Sequence, residues 1–392
     1  MRNESLKSLA EIAESVRYGY TASASDSEVG PKFLRITDIV PPQLDWANVP
    51  YCKIDEKDIS RFSLEPGDIV IARTGATVGY AKLIRDNPPS VFASYLVRIR
   101  VDPEKADPGY VGCILESDVY KRYVLSRVGG AAQPNANAKV LSSFRLPVPD
   151  KTTQRRIASV LSAYDDLIEN NCRRIQLLEQ SARLLYKEWF VHLRFPGHEH
   201  VKIKNGMPEE WEKKSLSDIA DITMGQSPKS VYYNKDGNGL PFHQGVTNFG
   251  VRFPINETYC TLKSRIAKPG DILFSVRAPV GRINITLDEI VIGRGLAAIR
   301  SITEHQNWLF YALKSYFFKE NMIGGGAIFA AITKNDLYKI ELVVPTIQIV
   351  RMFQEYVLPI DREIEVLHLS IHQLATARDL LLPRLMNGEI MV

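Results

Sequence analysis

Between Thr153 and Phe190 apolar residues recur at alternating intervals of four and three: Ile157, Leu161, Tyr164, Ile168, Ile175, Leu178, Ala182, Leu185 and Trp189, with Asn171 completing the rhythm. This is the a/d seam of a coiled-coil helix. Moving 196 positions along the chain lands on Phe353, Val357, Ile360, Ile364, Leu367, Ile371, Leu374, Leu381 and Leu385, with Arg378 the polar exception. The seam is therefore an internal repeat. A lone amphipathic helix is marginal in water, so two matched seams predict two helices packed on each other, with Asn171 fixing their register. About 155 residues lie between them, enough for a domain and too many for a loop, which makes the helices spacers between globular bodies.

The pattern around the seams repeats as well. Lys7-Ser8-Leu9-Ala10-Glu11-Ile12-Ala13-Glu14 is answered by Lys214 to Asp221, and each opening leads to a glycine, Gly19 or Gly225, and a polar loop. Phe33 to Ile39 and Phe242 to Asn248 read as short strands. Pro66-Gly67-Asp68 and Pro269-Gly270-Asp271 are turns feeding buried β runs that end in Arg73 and Arg277, expected to be equivalent, exposed and basic. A helical stretch follows (Gly109 to Ser126; Glu304 to Ile323), then Gly129-Gly130 or Gly325-Gly326, then a final strand (Phe144 to Val148; Lys339 to Val344) running through Pro149 or Pro345 into the long helix.

Pro359 lacks the N–H that a helix interior needs. It predicts a break near Leu358 and a long helix from there to about Leu382, and by the repeat a first long helix from near Ala163 to around Trp189, each roughly 40 Å in length. The domains expected are residues 1–150, a central helix 151–190, residues 191–345 with their linker, and a C-terminal helix 346–392. The fold class is α+β: two similar mixed domains separated by two long antiparallel helices with a pseudo-twofold internal repeat.

Composition narrows the chemistry. At 392 residues the chain suits two or three domains, and its net charge of +4 permits nucleic-acid binding without demanding it. Cys52, Cys113, Cys172 and Cys260 are scattered, which argues against a zinc ribbon or a disulfide framework. No run approaches the roughly eighteen apolar residues of a membrane helix, and the start is unlike a signal peptide, so the expected location is cytoplasmic. Asp86-Asn87-Pro88-Pro89-Ser90 resembles the Asn-Pro-Pro-aromatic motif of amino-methyltransferases, but Ser90 replaces the stacking ring and no Gly-rich cofactor loop follows a strand. His368 and His372, four apart, lack a third ligand, and His192, His198 and His200 offer no better one. Walker A, GxSxG and HExxH are absent. The sequence offers no nucleophile–base pair that spacing alone supports.

The ordered set of motifs carries a resemblance. Gly130-Ala131-Ala132-Gln133-Pro134-Asn135, Leu146-Pro147-Val148-Pro149, Gln154-Arg155-Arg156-Ile157 with its seam, and Ala377 to Leu385 with Gly388-Glu389 together resemble the specificity subunit of type I restriction-modification systems. The resemblance covers essentially the whole chain. It implies that each body is a target recognition domain reading half of a split, asymmetric sequence in double-stranded DNA, and that the helices form the spacer and dock two modification subunits. Those partners would carry S-adenosylmethionine, with none bound by this chain, and a restriction subunit would join them. One departure is that the second body has Ile328-Phe329-Ala330-Ala331-Ile332 where the first has its Gln-Pro-x-Asn segment. A spacer of roughly 40 Å would place half-sites about one turn of B-DNA apart.

Base readout falls to basic and amide groups at strand ends and loops, since arginine matches guanine and Asn or Gln matches adenine in the major groove. The first-domain candidates are Arg35, Thr37, Arg73, Thr74, Lys82, Tyr95, Gln133, Asn135, Asn137 and Lys139. Those of the second are His243, Gln244, Thr247, Asn248, Arg277, Arg282, Arg294 and Lys334. Contact with phosphate alone is an equal expectation for any one of them. The competing expectation is a scaffold whose helices join two binding modules to protein partners.

Overall fold

The computed structural model describes residues 6–41, 44–128, 134–303, 305–317, 331–390 and 392. The chain divides into two compact units, residues 1–175 with 366–392, and residues 176–365. Each unit thus owns one mixed body and one end of both long helices.

The first body is built around the strand Asp68–Ala72. Its entry is a β-turn in which Asp68 N donates to Glu65 O at 3.0 Å and Gly67 takes a φ of 95°, a conformation that suits glycine at the third turn position. Asp68 is buried and binds the Arg100 guanidinium at 2.8 Å. Beyond it side chains alternate. Ile69 and Ile71 enter a core with Leu9, Ile12, Tyr110 and Leu146, whereas Val70 and Ala72 enter a second core with Leu34, Ile84 and Phe92. A strand buried on both faces reads as an unbroken apolar run, which is what the sequence displays. The antiparallel sheet has the spatial order Ala13–Tyr18, Leu96–Val101, Asp68–Ala72, Ala81–Leu83. A parallel pair, Lys32–Leu34 with Ser90–Phe92, and an antiparallel pair, Leu6–Ser8 with Arg145–Pro147, complete it.

The second body repeats this plan. Its antiparallel sheet runs Ala220–Met224, Leu296–Ser301, Ile272–Ser275, Ile283–Ile285, entered through a Pro269-Gly270 turn with Gly270 at a φ of 85°. Ile272 and Phe274 pack with Trp211, Phe310 and Phe353, while Leu273 packs with Ala267 and Ile290 on the other face. The parallel pairing of Phe242 with Val291 and the antiparallel ladder of Glu212–Ser215 with Glu341–Val344 match the accessory pairs of the first body.

Both long helices are longer than the prolines suggest. The first spans Lys151–Tyr186 without a break near Ala163 and ends in a π turn, Lys187–Val191. The second spans Ile347–Met386, straight through Pro359 and Pro383. At 1.5 Å per residue they extend about 54 and 60 Å rather than 40. Pro359 and Glu355 both lie on the exposed side, where water can meet a carbonyl that has lost its helical donor, and the buried Phe353, Val357 and Ile364 hold the helix together across the gap. Tertiary packing outweighs the local preference, with each fully buried apolar side chain contributing about 1.5–3 kcal/mol.

Within the first unit the helices run antiparallel. Asn171 Nδ2 donates to Ser370 Oγ at 3.3 Å, and Arg378, the polar exception of the seam, binds Asp165 at 2.6 Å. Smaller differences from the sequence reading are local. Phe33 to Ile39 is a strand only to Leu34 and then a helical turn, Ile36–Ile39. Gly109 to Ser126 splits into helices Pro108–Leu115 and Asp118–Arg127. The glycine pairs at 129–130 and 325–326 lie outside the described residues.

Candidate nucleic-acid interface

At one end of each sheet the strands hand over to loops, and the same backbone hydrogen bonds recur in both units. Gly19 N donates to Leu96 O at 3.2 Å and Tyr20 N to Phe92 O at 2.8 Å; in the second unit Gly225 N donates to Leu296 O at 2.9 Å and Gln226 N to Ile292 O at 3.0 Å. Only glycine fits at the crossing, because a Cβ on Gly19 would sit 2.2 Å from Ala93 O and one on Gly225 2.1 Å from Gly293 O. Arg73 O receives Ala136 N at 2.8 Å, and Val276 O receives Ile332 N at 2.9 Å. Thr74 bridges Asn135 as Arg277 bridges Ala331.

These pairings correct the sequence alignment by one residue. Arg73 corresponds to Val276, and Arg277 to Thr74, because the second strand is one residue longer before its arginine. The side chains differ accordingly. Arg73 is half-buried, its guanidinium over the Tyr18 ring at 4.9 Å, with weak bonds to Ser94 O at 3.4 Å and Asn135 Oδ1 at 3.3 Å and a buried Nε without a partner. Its five donors are largely unspent. Arg277 is exposed.

Around Arg73 the first unit gathers Thr74, Tyr95 and Asn135, with Asn137 capping the helix Ala138–Ser142 and Lys139 exposed on it. Tyr18, whose hydroxyl accepts from Ala138 N at 2.8 Å, and Ser94 belong to this cluster but were not among the sequence candidates. The signal that could have found Tyr18 is its place beside Gly19. In the second unit Ser227 Oγ donates to Gln244 Oε1 at 2.7 Å and accepts from Arg294 N at 3.1 Å, so Gln244 and Arg294 meet at the corresponding crossing. Ser227 was missed too. Arg282 and Lys334 are exposed near the ends of their strand and helix, and Thr247 is exposed in its loop.

Other candidates are committed within their own unit. His243 is buried, its Nε2 within 2.9 Å of Asn256 Oδ1, and burial pushes its imidazole below the ordinary pKa. Lys82 lies 3.9 Å from Glu116, a carboxyl that burial raises above the usual range, and so serves the interior rather than a ligand. Arg35 closes on Asp38 at 2.9 Å, with the exposed Thr37 hydroxyl on the same carboxylate at 3.3 Å, and Asn248 donates to Glu257 at 2.9 Å. Gln133 and residues 328–330 lie outside the described residues. The Asn-Pro-Pro segment is a turn, with Asn87 Nδ2 donating to Leu64 O at 3.0 Å. Among the described residues no group of three or more His, Cys, Asp or Glu is placed to hold a metal ion, and no helix is long and apolar enough to cross a membrane.

A half-buried arginine with open donors, exposed amides and exposed tyrosines on loops carried by a rigid sheet form an arrangement suited to base edges and phosphates. Comparison with known proteins bears on the chain as a whole. The profile described as the type I restriction modification DNA specificity domain matches residues 5–180 and again 208–365. The putative type I restriction enzyme MjaX specificity subunit of Methanocaldococcus jannaschii is 31% identical, over 99% of this chain and 93% of its own length. The MjaIX specificity subunit of the same organism is 26% identical over 89% of this chain and 85% of its own. The crystal structure of the S subunit of the type I restriction-modification system of M. genitalium shares the fold, with a TM-score of 0.56 at 16% identity, over 98% of this chain and 97% of that one. The chain belongs to the family of type I restriction-modification specificity subunits, and its role is that of a DNA-recognition subunit of a complex.

Proposed function

We propose that this chain supplies the address, and not the chemistry, of a DNA-modifying complex. Each unit reads one half of a bipartite, asymmetric duplex target through its sheet-end loop cluster. The two long helices fix the spacing between the half-sites and dock two modification subunits, which bring S-adenosylmethionine and transfer its methyl group to adenine. A restriction subunit joins the same assembly, and the complex works in the cytoplasm. The observation that carries this reading is the repeat of one backbone frame with two different sets of side chains. A duplicated frame offers equivalent surfaces to two copies of one partner, while the diverged clusters read different bases.

The experiment is methylation-site sequencing of DNA from cells expressing the chain with its modification subunit, against cells lacking the chain. Methyladenine inside a split, non-palindromic motif is the expected result. An assembled complex that adds no methylation would favour the scaffold instead. Binding of duplex DNA that weakens steeply with salt is the second expectation, since each phosphate contact adds to the salt dependence.

A further inference from the structure

Outside the apolar seam, the long helices share an aspartate at the repeat offset of 196, Asp165 in the first and Asp361 in the second. In each unit an arginine from the body is bound to it. Arg85, just after the edge strand Ala81–Leu83, reaches Asp165 at 3.0 Å and the neighbouring Asp166 at 2.7 Å. Arg252 reaches Asp361. The two arginines come from different places in the order of the chain: Arg85 follows the central strand of its sheet, Arg252 precedes it. Yet Arg252 O accepts from Ile285 N at 2.9 Å, on the edge strand Ile283–Ile285 that corresponds to Ala81–Leu83. Two unrelated segments thus deliver a guanidinium from the same sheet edge to repeat-related carboxylates.

The delivery is built. Gly250 N donates to Phe253 O at 3.1 Å, and Asn284 Nδ2 donates to Gly250 O at 3.1 Å, pinning the tight loop that carries Arg252. The Arg252 side chain is 2% exposed, lies 4.2 Å above the Phe310 ring, and donates to Glu179 at 2.8 Å as well as to Asp361. It therefore ties its body to both long helices at once. Burial alone would raise the Glu179 carboxyl, but Arg252 and Lys314 beside it hold it below the ordinary range. In the first unit Arg378 of the second helix meets the same Asp165, so the body and both helices again converge on one carboxylate. An apolar contact tolerates sliding, whereas a planar fork between carboxylates is satisfied in one orientation only.

We propose that Arg85 and Arg252 are positioning residues that fix the orientation of each recognition body on its helix ends, and through it the number of base pairs the complex accepts between half-sites. This rests on the recognition role proposed above. The test is methylation of a plasmid library in which the spacer between fixed half-sites is varied by single base pairs, using the assembled complex. The wild-type complex is expected to prefer one spacer by about tenfold or more over its neighbours, the scale of a single mismatch. With Arg252→Lys or Arg85→Gln the preference should fall by about threefold or more while the bases read within each half-site stay the same. A purely structural role would lower methylation at every spacer equally, and that result, or an unchanged preference, overturns the proposal. Arg85 is partly exposed, so its variant decides the matter if Arg252 variants fail to assemble. If the wild-type complex methylates no split motif, the recognition reading fails first.

Discussion

The two units share a frame and differ in what hangs on it. Tyr18 and Met224 pair with Val97 and Ala297 at matching ladder positions, and next to them Arg73 stands where the other unit has Val276. Tyr95 corresponds to Gly295, Ser94 to Arg294, Asn135 to Ala331. The first cluster is aromatic around one half-buried guanidinium, and the second carries its arginines outside, on Arg277 and Arg294. The conserved part is backbone: the glycine crossings, the Pro-Gly-Asp turns and the strand order. A frame closed mainly by main-chain hydrogen bonds asks little of most of its loop side chains, so they can diverge while the fold stays the same.

Four experiments press on that comparison. The largest contrast lies between the two helix anchors. Arg252→Met leaves the largely buried Asp361 to the neutral Tyr311 and Asn307 and Glu179 to Lys314, and should cost about 3–5 kcal/mol in urea denaturation, whereas Arg85→Met removes a half-exposed pair and should cost at most about 1 kcal/mol. Next, Gly19→Ala and Gly225→Ala should destabilise their units alike, by about 1–3 kcal/mol each, because both force a methyl into a backbone carbonyl; unequal losses would break the equivalence of the crossings. Third, Arg73→Ala and Arg277→Ala should each relax specificity in one half-site only, by about 1–3 kcal/mol at a base pair, as footprints or methylation sequencing would show. Identical wild-type footprints at equal salt would remove the loop clusters from DNA recognition.

The last contrast is the pH dependence that His368 adds to the first unit. Burial, with His372 beside it, lowers the His368 imidazole to about 4 from its ordinary 6.5. The unfolded chain then takes up the proton first, so this contribution to stability is complete above pH 6.5 and is lost progressively as pH falls toward 4. His368→Leu should flatten the decline of melting temperature across that window and leave the plateau above it almost unchanged.

Much of this was legible in the sequence where the signal was local or periodic. The seams at offset 196, the Pro-Gly-Asp turns and the glycines before the polar loops all reappear as structure. What was not legible depended on distant partners. Arg73 and Arg277 match by residue type, but the register that separates them is set by pairing with Ala136 and Ile332. His243 looked like a loop reader, yet the parallel pairing of its strand buries it against Asn256. Pro359 obeyed its propensity in the sequence reading and yielded to the packing of Phe353 and Val357 in the fold.

The sharing of helix ends also sets an order of assembly. Leu382 and Leu385 are buried in the same core as Leu9, Ile12 and Tyr110, so the first body is completed by a segment made long after it. About 190 residues of synthesis separate residue 175 from residue 366, which at roughly 5–20 residues per second is some 10–40 s on the ribosome. During that interval the core that Ile157 and Leu161 share with Leu9 and Tyr110 lacks Leu382 and Leu385. The N-terminal half is therefore translated in full well before its core can close, and its full stability waits on residues far along the chain.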